Sequence, residues 1–229
     1  MLDTRQGYWL ERKRTWKDLI QDEGESRQET LFKKMTTGAG KKISAIGTVS
    51  ILDPVLAEIM IKWFCPKGGK TFDTFAGDTV FGYVSSHLGH SFKGIELRPE
   101  QARLNNERTR EKGLDAEYIC DDGQNVLKHF EENSRDFYFS CPPYFDLEVY
   151  SDDPKDASNQ GSYAEFLQIL DNSFTGAAKV LKNDRFAVVV MSNIRDKNGF
   201  YIHIVDDIKR IMQKNGLRLY NDIILINSF

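Results

Sequence analysis

From Ile43 onward, short runs rich in Phe, Val and Ile alternate with segments of helical pattern, and this alternation constrains the fold of the 229-residue chain more than any other feature. Parallel strands joined by crossover helices produce it, because each strand end must be carried back along the sheet before the next strand can pair in the same direction. The strand candidates are Thr71 to Phe75, Ser91 to Glu96, Glu117 to Cys120, Asp136 to Ser140, Arg185 to Met191 and Leu217 to Ile226. Helix candidates fill the intervals: Pro54 to Phe64, Val80 to Leu88, Pro99 to Lys112, Gln124 to Glu132, Tyr163 to Leu181 and Phe200 to Lys214. Asp53-Pro54 and Arg98-Pro99 each put proline at a first helical position, where its missing N–H costs nothing. The expected fold class is α/β, a mostly parallel sheet flanked by helices.

With 31 Lys+Arg against 34 Asp+Glu the net charge is −3, which excludes a polybasic binder. The longest wholly apolar stretch, Phe186 to Met191, is far below the roughly 18 residues of a membrane span. Met1 to Lys17 has no apolar signal core, so no membrane partner and a cytoplasmic location are expected. Cys65, Cys120 and Cys141 are scattered without metal-ligand spacing, which argues against a disulfide framework and a zinc site. Residues 1–42 differ from the rest, with Tyr8, Trp9 and Trp16 among ten basic and seven acidic residues. We read them as a basic, aromatic extension and 43–229 as the catalytic domain.

Ligands of open α/β sheets bind beyond the carboxyl ends of the strands. After the first of these strands comes Asp73-Thr74-Phe75-Ala76-Gly77-Asp78-Thr79, and the second ends in Glu96. Small residues at Ala76 and Gly77 let a ligand approach the backbone, and a carboxylate at the next strand end accepts ribose hydroxyls. A dinucleotide wants Gly-x-Gly-x-x-Gly for its pyrophosphate, which is missing, and Asp73 and Asp78 repel an anion. S-adenosylmethionine carries an ammonium and a sulfonium instead, so the electrostatics favour it. Asp121 follows the third strand, where it either accepts from an adenine amine or caps the next helix.

The fourth strand breaks into Ser140-Cys141-Pro142-Pro143-Tyr144, a stiff segment without N–H at two successive positions. This resembles the amino-methylating DNA methyltransferases, whose catalytic motif is Asp/Asn/Ser-Pro-Pro-Tyr/Phe/Trp at this place in the fold. Asp73-Thr74-Phe75-Ala76-Gly77 matches that family's Asp-x-Phe-x-Gly cofactor turn, Thr48 to Leu56 its preceding cofactor segment, and Ser140 to Asp156 is similar to phage and prophage adenine methylases. The resemblance implies a Rossmann-like class I methyltransferase fold in a bacterial or phage-infected cell, with S-adenosylmethionine as cofactor and DNA as partner. It implies catalytic roles for Cys141, Pro142, Pro143 and Tyr144, and cofactor contacts from Thr48, Asp73, Phe75, Ala76, Gly77, Glu96, Asp121 and Ser140. The implied activity is adenine N6-methylation, with an N4-cytosine or RNA amine as the variant and a rigid turn as the bland reading of Pro-Pro-Tyr.

Cys141 departs from the family, since a thiol is a weak acceptor where Asp, Asn or Ser is usual, and Thr79 replaces a frequent second glycine. A cysteine nucleophile of the carbon-5 cytosine type would need Pro-Cys-Gln, which is absent. No seventh strand is legible before Phe229, so we expect a sheet lacking it or completed by a homodimer or partner chain. Those two features also support a rival of another class, an idle methyltransferase-like binding or assembly subunit. For nucleic acid we single out Arg12, Lys13, Arg14 and Arg195, against amphipathic-helix and loop-salt-bridge readings. The segment 146–156, five acids against Lys155, does not suit a duplex.

Overall fold

The computed structural model describes residues 1–21, 52–147, 149–196 and 198–226. In chain order the elements are β1 (Leu2–Asp3), α1 (Gly7–Ile20), α2 (Pro54–Phe64), β2 (Lys70–Asp73), α3 (Val80–His87), β3 (Ser91–Glu96), α4 (Pro99–Glu111) and β4 (Ala116–Cys120). Then follow α5 (Val126–His129), β5 (Arg135–Ser140), α6 (Tyr163–Val180), β6 (Leu181–Val189), β7 (Ile194–Arg195), β8 (Tyr201–Ile202), α7 (Ile204–Lys214) and β9 (Leu225–Ile226). The central sheet has five strands in the order β4-β3-β2-β5-β6, and every neighbouring pair is parallel. The chain winds outward from β2 to β4, then returns to the other side of β2 as β5. That reversal opens a crevice at the carboxyl ends of β2 and β5, the switch point where such sheets bind ligands.

The pleat divides the core into two layers. Phe137 and Phe139 of β5 face a cluster with Val80, Phe81 and Val84 of α3 and Val55, Met60 and Ile61 of α2. Phe72, Ile95 and Tyr138 face Phe166, Leu170 and Phe174 of α6 and Ile204, Ile208 and Ile211 of α7. Phe81 stacks on Phe139 at 4.5 Å between ring centroids.

The composition-defined extension shares this core over residues 1–21, because Trp9, Trp16 and Ile20 of α1 are buried in the first cluster. Two carboxylates on the α2 side hold α1 down. Buried Glu58 accepts from Arg12 Nε at 2.7 Å, Arg12 Nη2 at 2.9 Å, Trp16 Nε1 at 2.6 Å and Lys62 Nζ at 2.6 Å. Burial raises the Glu58 carboxyl, but the bonds from Arg12, Lys62 and Trp16 outweigh it and bring its pKa down to about 2. Asp53 accepts from Lys13 Nζ at 2.8 Å and Trp9 Nε1 at 3.2 Å while capping α2 through the Val55 amide.

Several expected boundaries shift. The first strand stops at Asp73 because that side chain turns the chain by accepting from the Phe75 amide. The fifth begins at Leu181, directly after α6. The helix expected from Gln124 is a 3₁₀ turn (Gly123–Asn125) followed by one turn of α-helix, capped by Asp122. The helix expected from Phe200 starts at Ile204, since Tyr201–Ile202 pairs antiparallel with Ile194–Arg195 in a hairpin absent from the sequence reading. The expected strand from Leu217 to Ile226 joins no ladder of the central sheet. Its last two residues pair with Leu2 and Asp3, and the Leu2 amide already bonds Ile224 O at 2.8 Å, so the amino terminus takes up its backbone groups. Among the described residues the sheet therefore ends at β6.

Candidate active site

At the end of β2, the Asp73 side chain accepts from the Phe75 amide at 2.9 Å, and the Ala76 amide bonds Ile95 O of β3 at 2.9 Å. The chain then takes a left-handed step at Gly77, φ +58°, which a side chain would strain. This step aims the Gly77 amide at Glu96 Oε2, 2.9 Å away at the end of β3. Glu96 Oε1 accepts from the Arg98 amide at 3.0 Å. On the other side, Asn105 Nδ2 donates to Gly77 O at 2.9 Å, while Asn105 Oδ1 accepts from Thr79 Oγ1 and Gln101 Nε2, both at 2.8 Å. Arg98 Nη2 reaches Gln101 Oε1 at 2.8 Å, closing a buried polar network from the acidic strand end to the glycine turn. Arg98, Gln101 and Asn105 were not singled out from sequence. The Thr79 found in place of a second glycine belongs to this network and is fully buried.

Asp78, read as a repellent of anions, accepts from the Val80 amide at 3.0 Å and the Leu52 amide at 3.3 Å. Asp121 is held by His129 Nε2 at 2.6 Å, Asn125 Nδ2 at 2.9 Å and the Asp122 amide at 2.7 Å. Burial raises its carboxyl, but these bonds prevail and bring the pKa down to about 2. The helix-capping role considered for Asp121 falls to Asp122, which accepts from the Gln124 amide at 2.9 Å. Gly123 packs so tightly beneath the turn after β2 that a Cβ there would sit 2.2 Å from Thr74 O.

Ser140 ends β5 and Cys141 and the two prolines follow it, next to β2, so the Pro-Pro segment and the glycine turn flank the same switch point. Asp73 is fully buried, and desolvation pushes its pKa up to about 7 despite the Ser140 hydroxyl and nearby amides, with Glu96 adding to the rise. The Ser140 hydroxyl lies beside Asp73 and Tyr138 and offsets part of the rise of each. It is nonetheless the single buried side-chain oxygen or nitrogen, among the described residues, without a hydrogen bond of good geometry. Behind it, Tyr138 OH meets Thr74 Oγ1 at 2.8 Å, and Ser173 Oγ of α6 donates to Thr74 Oγ1 at 2.7 Å.

Pro142 is buried, whereas Cys141, Pro143 and Tyr144 are partly exposed. Phe145 takes φ +52°, unusual for a bulky residue, and its ring packs on Tyr163 and Phe166 at 5.5 and 5.4 Å. Cys141, Cys65 and Cys120 form no disulfide among the described residues. In the acidic segment that follows, Asp156 accepts from Ser151 Oγ, the Ser158 amide and Ser158 Oγ at 2.6–2.8 Å, so part of its charge organises the loop.

Of the residues expected to meet nucleic acid, Arg12 and Lys13 direct their charges to Glu58 and Asp53, and Arg14 is exposed on α1. Arg195 lies on β7, its guanidinium 4.1 Å over the Tyr201 ring and donating to Gly199 O at 2.6 Å. Thr48 and the rest of 22–51 lie outside the described residues. No group of three or more His, Cys, Asp or Glu suited to a metal occurs among the described residues, and no helix there is long and apolar enough to cross a membrane.

No protein-family model matches the chain, and no curated protein matches it. Solved structures do. A TehB-like SAM-dependent methyltransferase from Corynebacterium glutamicum aligns with TM-score 0.52 and 16% identity over 87% of each chain. Geranyl diphosphate methyltransferase in complex with GPP and sinefungin aligns with TM-score 0.51 and 17% identity over 72% of this chain and 60% of its own. The [4+2]-cyclase SpnF aligns with TM-score 0.51 and 14% identity over 71% of this chain and 57% of its own. The chain has the Rossmann-like fold of SAM-dependent methyltransferases. Fold alone does not choose the reaction, since one of these structures is a cyclase.

Proposed function

We propose that this chain is an S-adenosylmethionine-dependent amino-methyltransferase that modifies N6 of adenine in DNA. The observation that carries the reading is the meeting, at one switch point, of a glycine turn braced by Glu96 with a proline-stiffened segment ending in Tyr144. The donor set supports the cofactor's chemistry. Asp73 and Glu96 are buried acids beside a turn with small side chains, which suits a cationic sulfonium nucleoside and disfavours a pyrophosphate. When bound, the cofactor supplies an electrophilic methyl group on sulfur.

The chain's own residues do the rest. Glu96 accepts from the ribose hydroxyls, and Asp121, already ordered by His129, accepts from the cofactor's adenine amine. The target amine is a poor nucleophile because its lone pair is delocalised into the ring. Carbonyls of the Cys141-Pro142 segment accept its hydrogens, so the nitrogen pyramidalises and turns its lone pair toward the methyl carbon. With the cofactor held there, the amine nitrogen would take the methyl group from sulfur, leaving a neutral thioether, and the proton lost from nitrogen would pass to solvent. Tyr144 stacks on the base after it leaves the duplex. The Pro-Pro step holds these acceptors without reorganisation, which is where the rate gain arises.

Incubation with methyl-labelled cofactor and unmodified DNA, followed by digestion to nucleosides, tests this. Label is expected in N6-methyladenine. Label in carbon-5 cytosine, or none despite cofactor binding, overturns the reading, and the second result marks an idle subunit. Label in N4-methylcytosine, or transfer to RNA alone, keeps the chemistry and refutes the substrate. Cys141→Asp is expected to keep or raise turnover, because a carboxylate accepts better than a thiol.

A further inference from the structure

We infer that His129 is a positioning residue for the cofactor, holding the Asp121 carboxylate so that one of its oxygens receives a single N–H from the adenine amine. The inference rests on the cofactor half of the proposed function and adds to it the device that selects the purine. Asp121 directly follows β4, and its amide bonds Glu96 O at 3.2 Å, so the two acids sit side by side at the carboxyl ends of β4 and β3.

The groups that hold Asp121 come from one short segment. A 3₁₀ turn (Gly123–Asn125) runs into the single helical turn of α5, and the four-residue spacing of Asn125 and His129 puts both on one face. Asn125 Nδ2 at 2.9 Å and the Asp122 amide at 2.7 Å both reach Asp121 Oδ1, whereas His129 Nε2 reaches Oδ2 at 2.6 Å. Burial raises the Asp121 pKa, but the bonds from His129, Asn125 and the Asp122 amide outweigh it, so the carboxylate is ionised at neutral pH and only accepts. His129 Nε2 therefore carries the hydrogen. The last torsion of an aspartate is soft, so donors on Oδ1 alone let Oδ2 swing. The His129 bond stops that rotation. An ionised carboxylate has about four acceptor positions, and with these three donors in place one remains, on Oδ2.

Holding the segment together is a task met elsewhere. Asp122 caps the 3₁₀ turn through the Gln124 amide and also accepts from Gln124 Nε2 at 3.1 Å. Asn172 Nδ2 of α6 donates to Gln124 Oε1 at 2.7 Å, and fully buried Val126 packs so closely on α6 that a Cβ at Gly176 would lie 2.9 Å from its own. The Asp121 side chain keeps 26% of its surface exposed, enough for a ligand to reach it. An acceptor fixed through both oxygens at the edge of a nucleoside site favours a purine that donates there and rejects one that does not.

Calorimetry with S-adenosylhomocysteine, and with its analogue lacking the 6-amino group, tests this without DNA. The wild type is expected to bind the amine-bearing ligand roughly 10- to 100-fold more tightly, the range for a hydrogen bond to a charged group. His129→Ala is expected to cut that preference by roughly 5- to 10-fold, with affinity for the analogue little changed. His129→Gln, whose amide nitrogen donates from nearly the same place, is expected to restore most of it. Where His129→Ala fails to fold in urea titrations, His129→Phe keeps a ring without the donor and is read the same way. Equal affinities of the wild type for the two ligands, an unaltered preference in His129→Ala, or a preference in His129→Gln no better than in His129→Ala overturns this inference alone. Equal losses for both ligands in His129→Ala also overturn it and make His129 a staple for α5. Failure of the wild type to bind S-adenosylhomocysteine overturns it together with the cofactor reading.

Discussion

Replacing Glu58 tests whether α1 belongs to the fold or merely rests on it. The carboxylate is 5% exposed and is shared by Arg12, Lys62 and Trp16. Moving its pKa from an ordinary 4.5 to about 2 corresponds to at most about 3 kcal/mol, and solvent around the half-exposed Arg12 and Lys62 reduces that to about 2 kcal/mol. Glu58→Ala loses this and leaves the fully buried Trp16 indole N–H without its acceptor, a further ~1–3 kcal/mol. The expected total is about 3–5 kcal/mol. Glu58→Gln keeps an oxygen for Trp16 and loses the charge, so about 1–2 kcal/mol is expected. Urea unfolding followed by tryptophan fluorescence measures both, and a Trp16→Phe cycle isolates the indole bond at about 1 kcal/mol of coupling. Because the folded pKa is depressed, the contribution is fully present above about 4.5 and is lost as pH falls through about 2. A cost below 1 kcal/mol for Glu58→Ala, or equal costs for Ala and Gln, refutes the reasoning.

Two further outcomes follow from the buried groups around the switch point. Asn105→Ala removes the side chain that joins Gly77 O, Thr79 and Gln101, so a loss of about 2–3 kcal/mol and a roughly tenfold weaker cofactor affinity are expected by unfolding and calorimetry, and unchanged affinity refutes the bracing role. Asp73 has a folded pKa raised by burial to about 7, so its contribution is full below 3.8 and lost as pH rises through about 7; Asp73→Asn is expected to gain on the wild type between pH 5 and pH 8 in paired urea titrations, and parallel pH dependences refute it.

What was legible in the sequence divides along physical lines. The expected bounds of α2 agree with the structure, and α3 and α4 differ only at their last residue, because capping and proline signals act locally. The ends of β3 and β5, at Glu96 and Ser140, were legible too, since parallel strands buried on both faces read as continuous apolar runs, whereas β2 was read two residues too long because the Asp73 side chain turns the chain there. The hairpin was missed because Phe200-Tyr201-Ile202 merges into the apolar period of α7, and a pairing of two residues per strand is too short to show a period of its own. Leu217 to Ile226 has strand-like residues, but which edge takes up a strand is a tertiary matter, here decided by Leu2 and Asp3. The bracing network was hidden for another reason. Gln101, Asn105 and Thr109 form a buried stripe at four-residue spacing on α4, and its polar residues read as a solvated face. Uncharged polar residues at that spacing, flanked by charged ones, were the available signal.

The two sides of the crevice meet their physical demands differently. On the β2 side Asp73, Gly77, Thr79, Glu96 and Asn105 are joined in hydrogen bonds that fix the turn before any ligand arrives. On the β5 side the irregularities gather within six residues: Ser140 keeps a buried hydroxyl without a good hydrogen bond, and Phe145 is bent to φ +52°. Each departure costs about 1–3 kcal/mol, and alanine at 140 or glycine at 145 would remove it. Both flank the Pro142-Pro143 step, whose φ values are fixed by the rings. The packing of Phe145 on Tyr163 and Phe166 holds its ring in this conformation. Misfit sustained by surrounding structure is characteristic of residues placed for a ligand rather than for the fold, and in this chain it coincides with the segment whose carbonyls the proposed chemistry needs.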